Sequence, residues 1–431
     1  MRDGWHETTL GAIAEVVGGG TPPTKIAEYW GGSIAWLTPT EVVAADGEVI
    51  HNSKRTITEA GLSRSAATLL PVGSVLVTSR ATVGAVAMAG RPVATNQGFQ
   101  SLVPGPSVLP WYLLYWAQAH KGDLQRLASG TIFPEVSHSK MLRVPVVLPP
   151  LADQRRIVDL IASVDAAVEA TGATRETARA ARAALLSDLF SGRRRLTNVE
   201  VETARARLEP THVLASSALV PVDSVPDGWQ LTTLGRLVTF ASGFAFSDRF
   251  QGRREGIPFY KVSDMNRPEN AIAMSVSANY VTPSALSAMR ARSWPPGTVV
   301  FPKVGAALLT EKRRILSEQS AFDNNVMGLV AGDAVLPRWL LCFMQTVRFK
   351  DVVQQGAVPS VSQGIVGNIP VPLPPLDEQR RMVDVLASVD TYMETALLRH
   401  GAIQALRSAL LADLLSGRHK MPASYDELVS A

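Results

Sequence analysis

The sequence predicts an α+β chain: two mixed α/β globules alternate with two long helices that pair as an antiparallel coiled coil, a pseudo-twofold internal repeat. Three observations predict it. A 46-residue block, Leu148 to Arg193, recurs 225 positions later without a gap and with 24 identities. Repetition of that length at one fixed offset marks a duplicated architecture. Both copies place apolar residues at three- and four-residue steps, the period of a helix with one buried face. The segments that precede them carry short β-branched runs between Gly and Pro, the pattern of strands and turns.

Residues 1–148 make the first globule. Ser74–Ser79 reads as a strand entered through the Pro71-Val72-Gly73 turn, and a helix follows Pro110. Residues 149–193 are the first helical region. It opens on Pro149-Pro150 with Asp153 in its first turn, which suits a helix N-terminus. It closes on Ser191-Gly192-Arg193, with Gly192 where a left-handed residue ends a helix. Residues 194–225 are a polar, Pro-containing linker that continues the basic run Arg193-Arg194-Arg195.

Residues 226–372 form the second globule. Gly228-Trp229, the Pro295-Pro296-Gly297 turn before Val299-Val300-Phe301, and a helix after Pro337 repeat the landmarks of the first, loosely. Residues 373–418 are the second helical region, and 419–431 a short tail. The two helical stripes run Ile157, Ile161, Val164, Val168, Ala178, Leu185, Leu189 and Met382, Leu386, Val389, Met393, Ala396, Ile403, Leu410, Leu414. One such helix cannot bury its stripe alone, so the copies are expected to pair with each other. Arg175, Arg182, His400 and Arg407 fall in phase with the stripe and interrupt it near its middle.

Composition bounds the function. With 431 residues, 46% apolar and 19% charged, the chain can bury a sizeable core in two to four domains. No apolar run is long enough to cross a membrane, and Met1–Glu7 has no signal-peptide character. Cys342 is the only cysteine, which excludes a disulfide framework and a thiolate metal cluster; its expected place is the core. A cytoplasmic protein without cofactor or metal is expected.

Several enzyme classes are excluded by missing motifs. No Gly-Lys dipeptide exists, so there is no phosphate-binding P-loop. No carboxylate is followed two residues later by Lys, and no Asn-Pro or Asp-Pro dipeptide occurs, so nuclease and amino-methyltransferase signatures are missing. Gly18-Gly19-Gly20 lacks dinucleotide-binding spacing and reads as a turn. Ser137-His138-Ser139 suggests a nucleophilic cluster, but its counterpart is Ser362-Gln363-Gly364, and a role confined to one copy speaks against catalysis.

The net charge of +4 lies mainly in the globules: residues 1–148 hold 11 basic and 10 acidic side chains, residues 226–372 hold 15 and 10. That excess alone does not decide for nucleic acid.

Two divergent globules alternating with near-identical helices, each introduced by Leu-Pro-Pro-Leu-x-x-Gln-Arg at Leu148–Arg155 and Leu373–Arg380, resemble the specificity subunits of type I restriction–modification enzymes. Gly73–Gly84 and Val144-Pro145-Val146 add to the resemblance, which covers essentially the whole chain. It implies a non-catalytic subunit whose globules are target-recognition domains, each reading one half of a split site in double-stranded DNA. It also implies helices that space the globules and dock two methylation subunits, with restriction (motor and nuclease) subunits joining through the complex. The alternative is a coiled-coil adaptor whose globules bind proteins.

Bases are read mainly by Arg, Lys, Asn and Gln, and phosphates by basic and hydroxyl side chains. The candidates are Lys25, Lys54, Arg55 and Arg80 in the first globule. In the second they are Arg253, Arg254, Lys261, Lys303, Lys312, Arg313 and Arg314. Arg80 and Lys303 stand out, because both follow the matched strand in a Gly-containing turn.

Overall fold

Val75-Leu76-Val77 is buried at every position, and so is Val299–Pro302; each is the middle strand of a five-stranded sheet. A strand covered on both faces needs no polar alternation. This computed structural model describes residues 4–80, 82–128, 134–198, 200–202, 225–353 and 358–418. The tail 419–431 and most of the linker 194–225 lie outside the described residues.

The first globule holds β1 (His6–Thr9), β2 (Ala14–Gly18), β3 (Trp30–Leu37), β4 (Val49–Ile50), β5 (Arg55–Ile57), β6 (Val75–Val77), β7 (Val86–Ala89), β8 (Val93–Thr95), β9 (Gln100–Pro104) and β10 (Pro145–Leu148). The second holds β11 (Gln230–Thr233), β12 (Val238–Ser242), β13 (Ile257–Tyr260), β14 (Ala273–Met274), β15 (Tyr280–Val281), β16 (Val299–Pro302), β17 (Arg314–Leu316), β18 (Ala321–Phe322), β19 (Val326–Ala331) and β20 (Pro370–Leu373). The five-stranded sheets run β2-β9-β6-β7-β4 and β12-β19-β16-β17-β14, and the three-stranded sheets β5-β3-β8 and β15-β13-β18. The order is the same in both globules. So is the register: Val75 faces Met88 and Leu102 as Val299 faces Ile315 and Leu329.

Alternate residues of the middle strand serve two cores. Val75 and Val77 join the cluster of Tyr112, Leu113 and Trp116 from the Pro110–Ala119 helix, whereas Leu76 joins Ala35, Leu37 and Val93 of the small sheet. Likewise Val299 and Phe301 meet Trp339 and Phe343, while Val300 meets Tyr260 and Phe322. Each globule is therefore helix, large sheet and small sheet in layers. Gly73 and Gly297, with φ of +84° and +85°, turn the chain into the middle strand in a conformation that disfavours other residues.

The contacts group the chain into two units, residues 1–172 with 399–431, and residues 173–398. Each unit combines one globule with half of each long helix. The long helices are Leu151–Phe190 and Leu376–Leu415, 40 residues apiece. In the first unit Ile157 and Ile161 pack with Leu411, Leu414 and Leu415. In the second, Leu185, Leu186 and Leu189 pack with Met382, Leu386 and Val389. The start of one helix lies against the end of the other, so the pairing is antiparallel. Both helices end on left-handed glycines, Gly192 at +74° and Gly417 at +69°.

The polar residues in the seam have partners across it. Arg407 forms an ion pair with Asp165, donates to Gln118 Oε1 at 3.2 Å, and lies beside the Tyr115 ring, whose hydroxyl donates to Asp165 at 3.0 Å. Arg182 repeats this with Asp390 and Gln345. Burial lowers the basicity of Arg182, but its bonds to Asp390 outweigh that and hold its pKa above the ordinary value. His400 Nδ1 sits 3.0 Å from Thr171 Oγ1. Arg175 instead reaches its exposed neighbour Glu176. Cys342 is buried against this cluster, and burial pushes its thiol pKa up to about 12.

Candidate nucleic-acid interface

Each globule is fastened to its helix at one fully buried glutamine. Gln154 Nε2 donates to the carbonyls of Ser107 and Pro149, both at 2.9 Å, and its Oε1 accepts from Leu109 N at 2.8 Å. Gln379 makes the same three bonds with Ala334, Pro374 and Leu336. One residue earlier the indole of Trp5 donates to Asp153 Oδ2 at 2.9 Å, and that of Trp229 to Glu378 Oε2 at 3.1 Å. The strands that lead into the helices, β10 and β20, are held by β1 and β11 in matching antiparallel register. Whatever a globule binds is thus coupled to a helix by satisfied, buried hydrogen bonds. The repeated Gln was visible in the sequence, but nothing local assigned it this role.

The candidate cations fall into groups set by the two sheets. Around the small sheet of the first globule, Lys25 is exposed in the turn before β3 and Lys54 is exposed just before β5. The backbone N–H of Lys54 donates to Glu41 Oε1 at 2.7 Å, which holds that turn. Arg55 faces Trp36 across the ladder and lays its guanidinium 3.6 Å from the centre of the Trp30 ring. Trp30 in turn meets Trp36 edge to face. Among the described residues Arg55 has no carboxylate or carbonyl partner, and its guanidinium is held against the indole. Such stacking removes rotamer freedom before any ligand arrives.

The equivalent region of the second globule carries Arg253 and Arg254, both exposed, and Lys261, half-buried. Lys261 Nζ donates to Gln251 Oε1 at 2.8 Å and lies 5.3 Å from the Phe246 ring, which stacks on Phe259. Here too a cation lies beside an aromatic ring, but in the segment after β13 rather than on the β5 counterpart, and with a side-chain partner.

At the end of the large sheet the expected likeness of Arg80 and Lys303 is displaced by one position. Arg80 bridges Glu135 where Val304 bridges Ser360, so Lys303 corresponds to Ser79. Arg80 is half exposed and paired with Glu135 at 2.8 Å. Lys303 lines a cleft of about 140 Å³ with Ser242, Ser362 and Gln363. Among the described residues its ammonium has no carboxylate within ion-pair range.

The 312–314 run turns inward. Arg313 is 2% exposed: it pairs with Glu311, donates to the carbonyl of Val347 and lies 4.0 Å from the Phe349 ring. Burial lowers its pKa, with Glu311 opposing. Arg314, on β17, donates to the carbonyls of Arg313 and Met265 and is also made less basic by burial. Lys312 is held by Asn266. The expectation of three contact residues here is corrected for Arg313, whose guanidinium serves the core, and narrowed for Arg314. Three adjacent residues on an edge-to-core path cannot all face out.

The short helix Gln363–Gly367 begins beside this cleft, and His138–Leu142 is its counterpart in the first globule. His138 Nδ1 lies 3.4 Å from Gln100 Oε1, and Gln363 Nε2 donates to Ser242 Oγ at 3.2 Å. Ser137 caps the His138–Leu142 helix by accepting from Lys140 N. No group of three or more His, Cys, Asp or Glu side chains among the described residues is arranged to hold a metal. No described helix is long and apolar enough to cross a membrane.

Arg55→Ala is expected to weaken binding of a cognate duplex by about 1–3 kcal/mol, the range for a base contact. Titrations of the assembled protein at two salt concentrations check this. A base reader relaxes discrimination at one position, a phosphate contact weakens all sequences alike, and an unchanged affinity refutes the placement.

Comparison with known proteins gives the class. The model of the family described as "Type I restriction modification DNA specificity domain" matches residues 2–178 and again 226–405. The chain belongs to that family, with two copies of its domain.

Among relatives, it is 28% identical over 309 residues to the type I restriction enzyme MjaIX specificity subunit of Methanocaldococcus jannaschii, covering 70% of this chain and 67% of that one. It is 27% identical over 164 residues to the EcoR124I/EcoR124II specificity subunit of Escherichia coli, covering 36% and 40%. Among solved structures, the S subunit of a type I restriction–modification system from M. genitalium aligns over 97% of each chain at a TM-score of 0.50 and 15% identity. A chain from a study of assembly and conformational transition in the type I R-M system aligns over 96% and 98% at 0.59 and 18%. At those identities the likeness is one of fold.

Proposed function

We propose that this chain recognises DNA sequence for a type I restriction–modification complex, each globule reading one half of an asymmetric two-part site. One observation carries the reading: two globules with identical strand order and register carry different cationic side chains around the small sheet, Arg55 on Trp30 in one and Lys261 beside Phe246 in the other. A shared scaffold with individual surfaces suits two half-sites of different sequence, because direct readout depends on side-chain identity.

In this reading residues 1–148 and 226–372 are the target-recognition domains, and 149–193 and 373–418 the helical regions that set the spacer. The helical regions are repeats of one another, with 24 of 46 positions identical, which suits docking of two methylation subunits. Restriction subunits join through the complex, and the chain contributes no catalysis. The assembly works in the cytoplasm, where DNA is. Lys25, Lys54, Arg55, Arg80, Arg253, Arg254, Lys261 and Lys303 form the proposed contact set, with Lys312 at its margin. A protein-binding adaptor has no support in the family to which the chain belongs.

Exchanging residues 1–148 for the corresponding globule of a relative is expected to change one half of the methylated motif. Methylome mapping in cells expressing the hybrid with its methylation subunits reads the result. A change in both halves would refute the assignment of one globule to one half.

A further inference from the structure

We propose that His138 in the first globule and Gln363 in the second each read a base edge, one in each half-site. The proposal rests on the DNA-recognition reading above. Both residues are exposed and occupy the same place, the first position of the short helix before the last strand. Their backbones are fixed from both sides. Residues 135 and 360 bridge residues 80 and 304, and Val136 N and Val361 N donate to the carbonyls of Ser79 and Lys303 at 3.1 and 3.0 Å. Ser137 and Ser362 then cap the helices. A reading residue needs this: a rigid support under a side chain that contributes nothing to the core.

The surroundings differ between the globules where the backbone does not. In the second, Gln363 shares its cleft with Ser242, Ser362 and Lys303, whose ammonium has no carboxylate partner among the described residues. An amide beside an ammonium favours purine edges: a glutamine matches N6 and N7 of adenine, a lysine O6 and N7 of guanine. In the first globule, Lys303 is replaced by Ser79, Ser242 by Gly18 and Met327 by Gln100, and His138 turns Nδ1 to Gln100. His138 Nε2 has no hydrogen-bond partner among the described residues and is the nitrogen left for a ligand. The two positions therefore offer different donor and acceptor sets on one scaffold, and the half-sites they read differ. A merely structural role would not require a long polar side chain at an exposed helix start.

The test is reciprocal exchange in the full chain, co-expressed with its methylation subunits. His138→Gln is expected to change one base position of one half-site, and Gln363→His one position of the other. His138→Ala and Gln363→Ala should each relax discrimination at that same position roughly 10- to 100-fold. Spacer and melting temperature should stay as in the original. An unchanged motif in the exchanged and alanine variants overturns the proposal, as does a uniform loss of methylation at every sequence with the fold intact. If the original assembly methylates no two-part motif at all, the recognition reading itself fails, and this proposal with it.

Discussion

Gln379→Ala is expected to destabilise the second unit by about 3 kcal/mol or more. Its amide is fully buried and satisfies three backbone groups, the carbonyls of Ala334 and Pro374 and the N–H of Leu336. Truncation leaves those groups unpaired, and each buried polar group without a partner costs about 1–3 kcal/mol. Water entering the space left behind offsets part of this. A loss of that size is a large share of the 5–15 kcal/mol typical of a folded domain. Gln379→Glu removes the two donated bonds while keeping the shape, and should be at least as damaging, because it sets an acceptor against two carbonyls. Thermal unfolding checks both: a fall in Tm of roughly 10 °C is expected for a unit of this size. Gln154→Ala should do the same to the first unit, where Ser107, Pro149 and Leu109 are the partners. A shift below about 2 °C would show that the helices are not fastened to the globules here.

Lengthening both long helices is expected to lengthen the gap between half-sites and to leave the half-sites unchanged. A four-residue insertion adds roughly 6 Å and about one turn, close to two base-pair steps of about 3.4 Å. The insertions belong after Gly172 and Leu397, equivalent points of the repeat that fall where the contacts divide the chain into units. Made there, they leave Gln154, Gln379 and the Arg182–Asp390 and Arg407–Asp165 pairs within their own units. The insertion must be made in both helices, because a stripe that slips against its partner buries charge. The methylated motif in cells carrying the variant is the measurement. Active enzyme with an unchanged gap would mean that the linker 194–225 or the methylation subunits set the distance.

The helices were legible because the signals that define them are local. The apolar period, the proline entry, the acidic first turn and the glycine exit lie within each 46-residue block, and Gly192 and Gly417 adopt the left-handed conformation expected of them. The buried strands at Val75 and Val299 were legible for the same reason. The arginines in the seam were visible only as interruptions. Their carboxylate partners lie on the other helix, more than 200 residues away in the chain for Arg182 with Asp390 and for Arg407 with Asp165. The candidate contacts divided along similar lines. Arg55 is exposed as expected, but its support by Trp30 depends on a strand pairing that no spacing reveals.

By itself, then, the sequence determined the duplication, the two rods, the two globules and the absence of familiar catalytic motifs. All of these follow from periodicity or from repetition, which residues carry within a few turns of themselves. The tertiary structure decided which cations face out. Arg313 and Arg55 are alike as letters, yet one stacks on Phe349 in the core and the other on Trp30 at the surface. Strand register also decided that Arg80 matches Val304 rather than Lys303. Register is set by hydrogen-bonded partners distant in sequence, and a shift of one residue moves a side chain to the opposite face.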